Sequence, residues 1–362
     1  METLPFSLQA LTLFTEDLLG VTIYDIAKEA SVGVGTVSRV LNNHPSVSES
    51  TRRHVLEVAR RLDYQPNASA QRLARRKSRT ITAIMPYITN YFFVELLGGI
   101  QDILFERDYD LLLYGVNHPK QIEVYLQRSL RAGHSDGMLI ASIDLPSNYT
   151  QKYLKNNFPI ILVDRYNENF DSFFVENAEG AKAATEYLIS LGHPRIAMIT
   201  GNKETTPTRQ RSEGYLGAIA SNDRVINTGI FYPKIEQKND GFSKDAGFEV
   251  MSEILRIPEE KRPTAVFVAS DIQAFGAMHA LKEAGGSCPE TMSIVSFDDI
   301  ELAPYYGLTT MRQPIRKLGL LATERLFERM DNTALDPQHR RFTPELMIRQ
   351  TAGPPPSRYN NV

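Results

Sequence analysis

The sequence predicts a small all-α helix-turn-helix headpiece followed by an α/β body of two doubly wound lobes. Three observations predict it. Between residues 21 and 64, apolar residues recur at helical spacing in three short runs separated by turn signals. From residue 79 onward, fully apolar β-rich runs alternate with helix-period segments, the pattern of a parallel sheet covered on both faces. That body runs to about 280 residues, too many for one such unit and suited to two lobes.

The headpiece opens with VTIYDIAKEASVGVGTVSRVLN, residues 21–42. Ile23, Ile26, Ala27 and Ala30 share one face of a short helix. Thr22 and Asp25 form a capping-box-like start, in which a hydroxyl and a carboxylate satisfy exposed amides. Ser31-Val32-Gly33 breaks the pattern as a tight turn. A second short helix places Val34, Val37 and Leu41 inward and Thr36, Ser38, Arg39 and Asn42 outward. A third runs from a Ser48 cap through Val55, Ala59 and Leu62. Two short helices joined by a tight turn, with a third closing the core, make a helix-turn-helix domain.

An outward face of Thr, Ser, Arg and Asn can hydrogen-bond phosphates and base edges, and Arg suits the guanine O6/N7 pair best. Gly33-Val34-Gly35 resembles half of a dinucleotide-binding fingerprint. That motif must follow a strand, whereas here it follows a helix and Ser38 stands where the third glycine belongs.

Charge is segregated. The chain carries a net −3, yet residues 21–79 hold 11 Lys or Arg against 5 Asp or Glu. A basic block on an acidic body suggests a polyanion-binding module, although charge alone equally describes a solvated face.

In the body the strand candidates are TITAIMP, DLLLYGV, DGMLIAS, PIILVD, RIAMITG, TAVFVAS and MSIVSF. Helical segments such as FVELLGGIQDILFERDY, GAKAATEYLISLGH and FGAMHALKEAGG separate most of them. No GxGxxG opens the first strand–helix turn, and neither a Walker loop nor a GxSxG elbow occurs. The seven histidines lack metal-ligand spacing. No enzyme constellation, metal or cofactor is expected. One cysteine, Cys288, cannot form an intramolecular disulfide, and no apolar run reaches membrane-spanning length. Residues 1–20 carry Glu16 and Asp17 where an export signal would be apolar. A cytoplasmic location is the expectation.

The headpiece resembles the DNA-binding domain of the lactose-repressor/galactose-repressor (LacI/GalR) family. The matching stretches are VTIYDIAKEASV, TVSRVLN, VSESTRRHVLEVARRLDY and QPNASAQRLAR, nearly continuous over residues 21–75. The resemblance implies DNA contacts from Thr22, Tyr24, Gly33, Val34, Gly35, Thr36, Ser38, Arg39, Asn42, Ser48, Thr51 and Tyr64. It implies a hinge helix from Asn67 to Arg75, folded only on the operator, with Leu73 wedging into the minor groove and Ala70 on the same face. Two departures stand out. Gly33 replaces the family's usual serine, and the two variable specificity positions are Val34 and Gly35. Neither offers a hydrogen bond to a base. Val34 is expected to read a thymine methyl and Gly35 to leave a base unread.

The resemblance extends through VENAEGAKAATEYLISLGHPRIAMITG, RSEGYLGAI, RPTAVFVASD, MSIVSFDDI and LTTMRQP to the family's effector core, which is periplasmic-binding-protein-like. It implies a small-molecule effector, most often a sugar or sugar derivative, held between two lobes. The expected division is residues 1–20 as a disordered leader or a misassigned start, 21–66 as headpiece and 67–78 as hinge and linker. Lobe one is then expected at 79–163 and 293–312, lobe two at 166–291 and 315–350, and a tail at 351–362. Crossings are expected near 163–166, 292–297 and 310–315.

The candidate effector residues are Tyr91, Phe92, Asp164, Arg165, Arg211, Ser270 and Asp298. Aromatic faces suit the apolar patches of a sugar, and planar polar groups suit its hydroxyls. Of Phe92 and Phe93, one must point into the core. Asp298 and Asp271 could instead be helix N-caps, and Arg211 a surface ion pair. Ser270 stands where many relatives carry a ligand-contacting asparagine, and Glu176-Asn177 where Asp-Asn is common. The Pro-rich end GPPPSRYNNV has no leucine heptads, so a homodimer on a pseudo-palindromic operator is expected, with no tetramerising coiled coil. The implied function is a transcriptional repressor whose operator affinity an effector controls. The competing readings are a sugar-binding protein without DNA function and an enzyme on a doubly wound fold.

Overall fold

The computed structural model describes residues 21–64, 78–131, 133–234 and 238–356. It divides into two compact units, residues 1–76 and 77–362. The predicted leader at 1–20 and the hinge residues Asn67, Ala70 and Leu73 lie outside the described residues.

In the first unit, α1 (Ile23–Glu29), α2 (Val34–Leu41) and α3 (Glu49–Arg61) close on a core of Ile26, Val37, Val40, Val55 and Val58. The capping box forms: the Asp25 carboxylate accepts the Thr22 N–H at 2.8 Å and the Thr22 hydroxyl at 2.7 Å. The Thr22 hydroxyl and N–H hold the Asp25 carboxyl below its usual pKa. Ser48 caps α3 by accepting from the Thr51 N–H at 3.3 Å. Arg52 ties down the connection before α3, donating to Asn43 Oδ1 at 2.8 Å and the His44 carbonyl at 2.7 Å. The inward face of α2 is rotated from the one expected. Val37 and Val40, three residues apart, are fully buried, while Val34 and Leu41 are half-buried at the rim.

The second unit holds two six-stranded sheets. The strands of the first are β1 (Thr80–Pro86), β2 (Asp110–Val116), β3 (Gly137–Ala141), β4 (Ile160–Val163), β5 (Asp171–Val175) and β11 (His339–Phe342), in the order β11-β5-β4-β3-β1-β2. Every pairing in it is parallel. The second contains β6 (Arg195–Ile199), β7 (Ile226–Phe231), β8 (Ala265–Val268), β9 (Ser293–Asp298), β10 (Thr309–Arg312) and β12 (Glu345–Met347), in the order β12-β10-β9-β8-β6-β7. Only β12 runs antiparallel there. The first lobe carries α4 (Tyr91–Arg107), α5 (Pro119–Ser129), α6 (Ser147–Lys155) and α11 (Ile315–Asp331). The second carries α7 (Asn177–Ser190), α8 (Thr206–Ala220), α9 (Lys244–Leu255) and α10 (Asp271–Glu283).

This topology corrects the expected lobe boundaries. After β4 the chain does not cross at 163–166. It adds β5, which pairs with β4 from Ile161↔Asp171 onward, and crosses only after Val175. Nor does it return at 292–297. β9 pairs with β8 and β10 with β9, so residues 293–312 belong to the second lobe. The return comes at Gln313-Pro314, and α11 then packs Ile315, Leu318, Ala322, Leu326 and Phe327 into the first lobe's core. The last crossing lies between β11 and β12.

Two contacts fix α11 there. Buried Asp171, on β5, accepts from Arg325 at 2.7 Å and Arg329 at 2.5 Å. α11 also lies so close to α4 that a Cβ on Gly319 would come within 2.3 Å of the Leu96 carbonyl oxygen.

Candidate functional site

A cavity of about 100 Å³ lies between the lobes of the second unit. Its walls come from residues just beyond the carboxyl ends of strands. Tyr87, Asn90, Phe92 and Phe93 follow β1, Ser142 follows β3, and Asp164 and Arg165 follow β4. From the second lobe, Thr205 follows β6, Ser270 follows β8 and Asp298 ends β9. This is where ligands bind in doubly wound sheets, because strand ends leave backbone groups and loops free to converge.

Six of the predicted effector residues line this cavity: Phe92, Asp164, Arg165, Arg211, Ser270 and Asp298. Tyr91 does not; it packs against the second lobe's apolar core. Phe93 is buried in the first lobe's core, Phe92 is the more open of the two, and both rings reach the wall. They meet edge to face, with centroids 5.1 Å apart and planes at 84°.

Arg211 is 6% exposed, which excludes a surface ion pair. Its Nε donates to Asn177 Oδ1 at 2.9 Å, Nη1 donates to the Ala269 carbonyl, and the guanidinium lies 3.9 Å over the Phe297 ring. Nη1 stands 3.7 Å from Asp298 Oδ1. Burial pushes the Arg211 pKa down, and Asp298 is its largest opposing influence. Burial likewise pushes the Asp298 carboxyl up, against the pull of Arg211. Asp298 caps no helix. It ends β9 with φ 123°, and Gln313 Nε2 donates to its Oδ1 at 2.6 Å.

Nor is Asp271 a cap: Ser270 is the N-cap of α10, accepting from the Gln273 N–H at 3.4 Å. Asp271 is buried beneath it, accepting from Ser296 Oγ at 2.5 Å, Thr310 Oγ1 at 2.6 Å and the Ile300 N–H at 2.9 Å. It pins α10 to β9 and β10. Asn177, in the pair where relatives carry Asp-Asn, serves the site by orienting Arg211.

At the other end, Ser142 Oγ donates to Asp164 Oδ2 at 2.6 Å. Arg165 donates to the carbonyls of Asp164 at 2.6 Å and Ser142 at 2.9 Å, and its Nε lies 3.1 Å from Asp144.

Sequence reasoning missed Tyr87, Asn90, Ser142, Thr205, Asn239, Asp240 and Phe242, all of which line the cavity. Tyr87 of the first lobe hydrogen-bonds Asp240 of the second; burial and that carboxylate push the Tyr87 phenol up to about 12. Burial also raises the Asp240 carboxyl. A shared feature links several wall residues: Tyr87, Ser142, Asp164, Asn239, Asp240 and Asp298 all have positive φ. For non-glycine residues this is strained, and strain of this kind gathers at ligand-binding positions.

In the first unit, the outward residues of α2 fall as expected. Arg39 and Asn42 are exposed, Thr36 and Ser38 are half-exposed, and Tyr24 on α1 is 68% exposed. Gly33 is the N-cap of α2 with extended φ, and Gly35 lies in its first turn. A Cβ at either glycine would meet nothing within 4 Å, so the fold requires neither glycine. Ser48 and Thr51 pair hydroxyls at 2.8 Å at the start of α3, and Tyr64 is half-buried against the core.

A helix-turn-helix unit carried with a two-lobed body around a small polar cavity defines a ligand-responsive DNA-binding regulator. Residues 22–67 match the model for bacterial regulatory proteins of the lacI family, and residues 185–352 match a periplasmic binding protein-like domain. The chain is 31% identical over 324 residues to catabolite control protein A of Priestia megaterium, covering 88% of this chain and 95% of that protein. It is 34% identical over 338 residues to the ribose operon repressor of Escherichia coli K12, covering 91% and 99%. Among solved structures, the lac repressor dimer bound to operator and the anti-inducer ONPF matches with a TM-score of 0.79 and 26% identity, covering 92% of this chain and 99% of that one. The chain belongs to the lacI family of bacterial regulatory proteins.

Proposed function

We propose that this protein is an operator-binding transcriptional repressor whose DNA affinity is set by a small carbohydrate effector held between the lobes. The observation that carries the reading is one chain presenting Arg39 and Asn42 on an exposed helix face and enclosing Arg211 and Asp298 in a second, buried site. Two sites whose occupancies bias one another make an allosteric regulator, with coupling of about 1–3 kcal/mol typical.

In this reading α2 enters the major groove. Thr36, Ser38, Arg39 and Asn42 contact bases and phosphates, Val34 meets a thymine methyl, and Thr22, Tyr24, Gly33, Gly35, Ser48, Thr51 and Tyr64 lie along the contact surface. Asn67, Ala70 and Leu73 supply the minor-groove contacts. Phe92, Asp164, Arg165, Arg211, Ser270 and Asp298 hold the effector. The protein acts as a homodimer in the cytoplasm on a pseudo-palindromic operator, needs no cofactor or metal, and catalyses no reaction. Among the described residues, no helix is long and apolar enough to cross a membrane.

The test is selection of operators from random duplex DNA by the full chain, followed by gel shift with and without a sugar panel. The reading expects a two-fold symmetric consensus and a change in affinity with at least one sugar. Selection of no consensus would overturn it. An Arg39→Ala variant separates base reading from charge alone: relaxed preference at one position marks a base contact, and uniform weakening with a shallower salt dependence marks a phosphate contact.

A further inference from the structure

The cavity's charges bear on which effectors it can accept. Its wall carries three carboxylates, Asp164, Asp240 and Asp298, against two guanidiniums, Arg165 and Arg211. Both cations are already engaged by the protein. Arg165 is held by two backbone carbonyls and by Asp144. Arg211 is held by Asn177, the Ala269 carbonyl and Asp298. The carboxylates retain capacity on their second oxygens. Gln313 and Arg211 both approach Oδ1 of Asp298, and Ser142 and Arg165 both approach Oδ2 of Asp164. Asp298 Oδ2 and Asp164 Oδ1 have no partner among the described residues.

A carboxylate only accepts, so this wall asks its ligand for O–H or N–H donors. It offers no cation in excess to neutralise an anionic group, and in a site of low dielectric an uncompensated like charge is strongly disfavoured.

We infer that the effector is an uncharged, hydroxyl-rich molecule that donates to Asp298 of one lobe and Asp164 of the other, and that phosphorylated and carboxylated relatives of it are rejected. Donors bridging two carboxylates on different lobes would hold the lobes together, so the same contacts would select the ligand and favour closure. Asp240 contributes to the rejection through its charge and is itself held across the cleft by Tyr87. The inference rests on the effector reading above and sharpens it.

The experiment is calorimetric titration of the full chain with matched pairs: D-ribose and ribose 5-phosphate, D-glucose and D-glucuronate, adenosine and adenosine 5′-monophosphate. The neutral member of a sugar pair is expected to bind at least 100-fold more tightly than its anionic partner, and Asp240→Asn is expected to narrow that ratio. A sugar phosphate or uronate binding as tightly as its neutral partner would overturn the charge rule and leave the carbohydrate reading standing. Binding of adenosine but of no sugar would overturn the carbohydrate reading, and the adenosine pair would then decide the charge rule. Binding by no member would overturn both.

Discussion

The side-chain amide of Gln313 donates to Oδ1 of Asp298 at 2.6 Å, and the Gln313 N–H donates to the Asp298 carbonyl at 3.1 Å. Gln313 is the residue at which the chain leaves β10 for the other lobe. A carboxylate in the cavity wall is thereby tied twice to an inter-lobe crossing, so a ligand that shifts Asp298 acts directly on that connection. Gln313→Ala is expected to weaken effector binding about 10- to 100-fold, since a hydrogen bond to a charged group contributes about 1.5–3 kcal/mol. Operator binding without effector should be retained. Calorimetry and gel shift together check both halves.

The glycines of α2 make a prediction of opposite sign. Gly35 lies within the helix and a Cβ there meets nothing within 4 Å. Gly35→Ala is expected to stabilise the headpiece by about 0.5–1 kcal/mol, because alanine loses less backbone entropy. If the position leaves a base unread, operator preference should not change. Thermal unfolding and repeated operator selection measure the two effects independently.

The close approach of α4 and α11 leaves no room for a side chain at Gly319, where a Cβ would come within 2.3 Å of the Leu96 oxygen, a backbone atom that cannot swing aside. Gly319→Ala is expected to cost about 1–3 kcal/mol in urea unfolding of the second unit. An unchanged midpoint would show that the two helices slide apart at little cost.

Acid should loosen the second lobe through His193. Its ring is buried between Thr264 Oγ1 at 3.0 Å and the Gly353 carbonyl at 2.9 Å, and burial lowers its pKa from 6.5 to about 4. The unfolded chain therefore binds a proton that the folded chain refuses. His193's contribution is fully present above pH 6.5, is lost as pH falls from there to about 4, and levels off below. The loss amounts to about 3 kcal/mol. Denaturant unfolding over that range, compared with His193→Asn, isolates it: the variant should lose this part of the pH dependence even if it is less stable throughout.

The elements were legible where local chemistry dictates them. Thr22 with Asp25 and Ser48 with Thr51 announce helix starts through contacts within three residues, and the apolar runs around Ile81, Ile140 and Ile196 can only be buried strands. Segments such as DSFFV, HRRF and ELM are too short and mixed to stand out, and they become β5, β11 and β12 by pairing with strands already in place. Missing β5 moved the first crossing too early, and reading β9 as a return moved the second.

Composition and periodicity were enough to establish a helix-turn-helix unit ahead of an alternating α/β body, and to single out Arg211 and Asp298 through the resemblance their neighbouring residues carry. Folding decided which residues share the cavity. Tyr87 and Asp240 are more than a hundred positions apart and match no motif, yet they meet because separate sheets bring their loops to one cleft. Folding likewise turned Tyr91 away from the wall and made Ser270, rather than Asp271, the cap. Helix and strand formation depends on neighbours a few residues apart, which a sequence displays. A binding site depends on distances between remote loops, which only the packed lobes set.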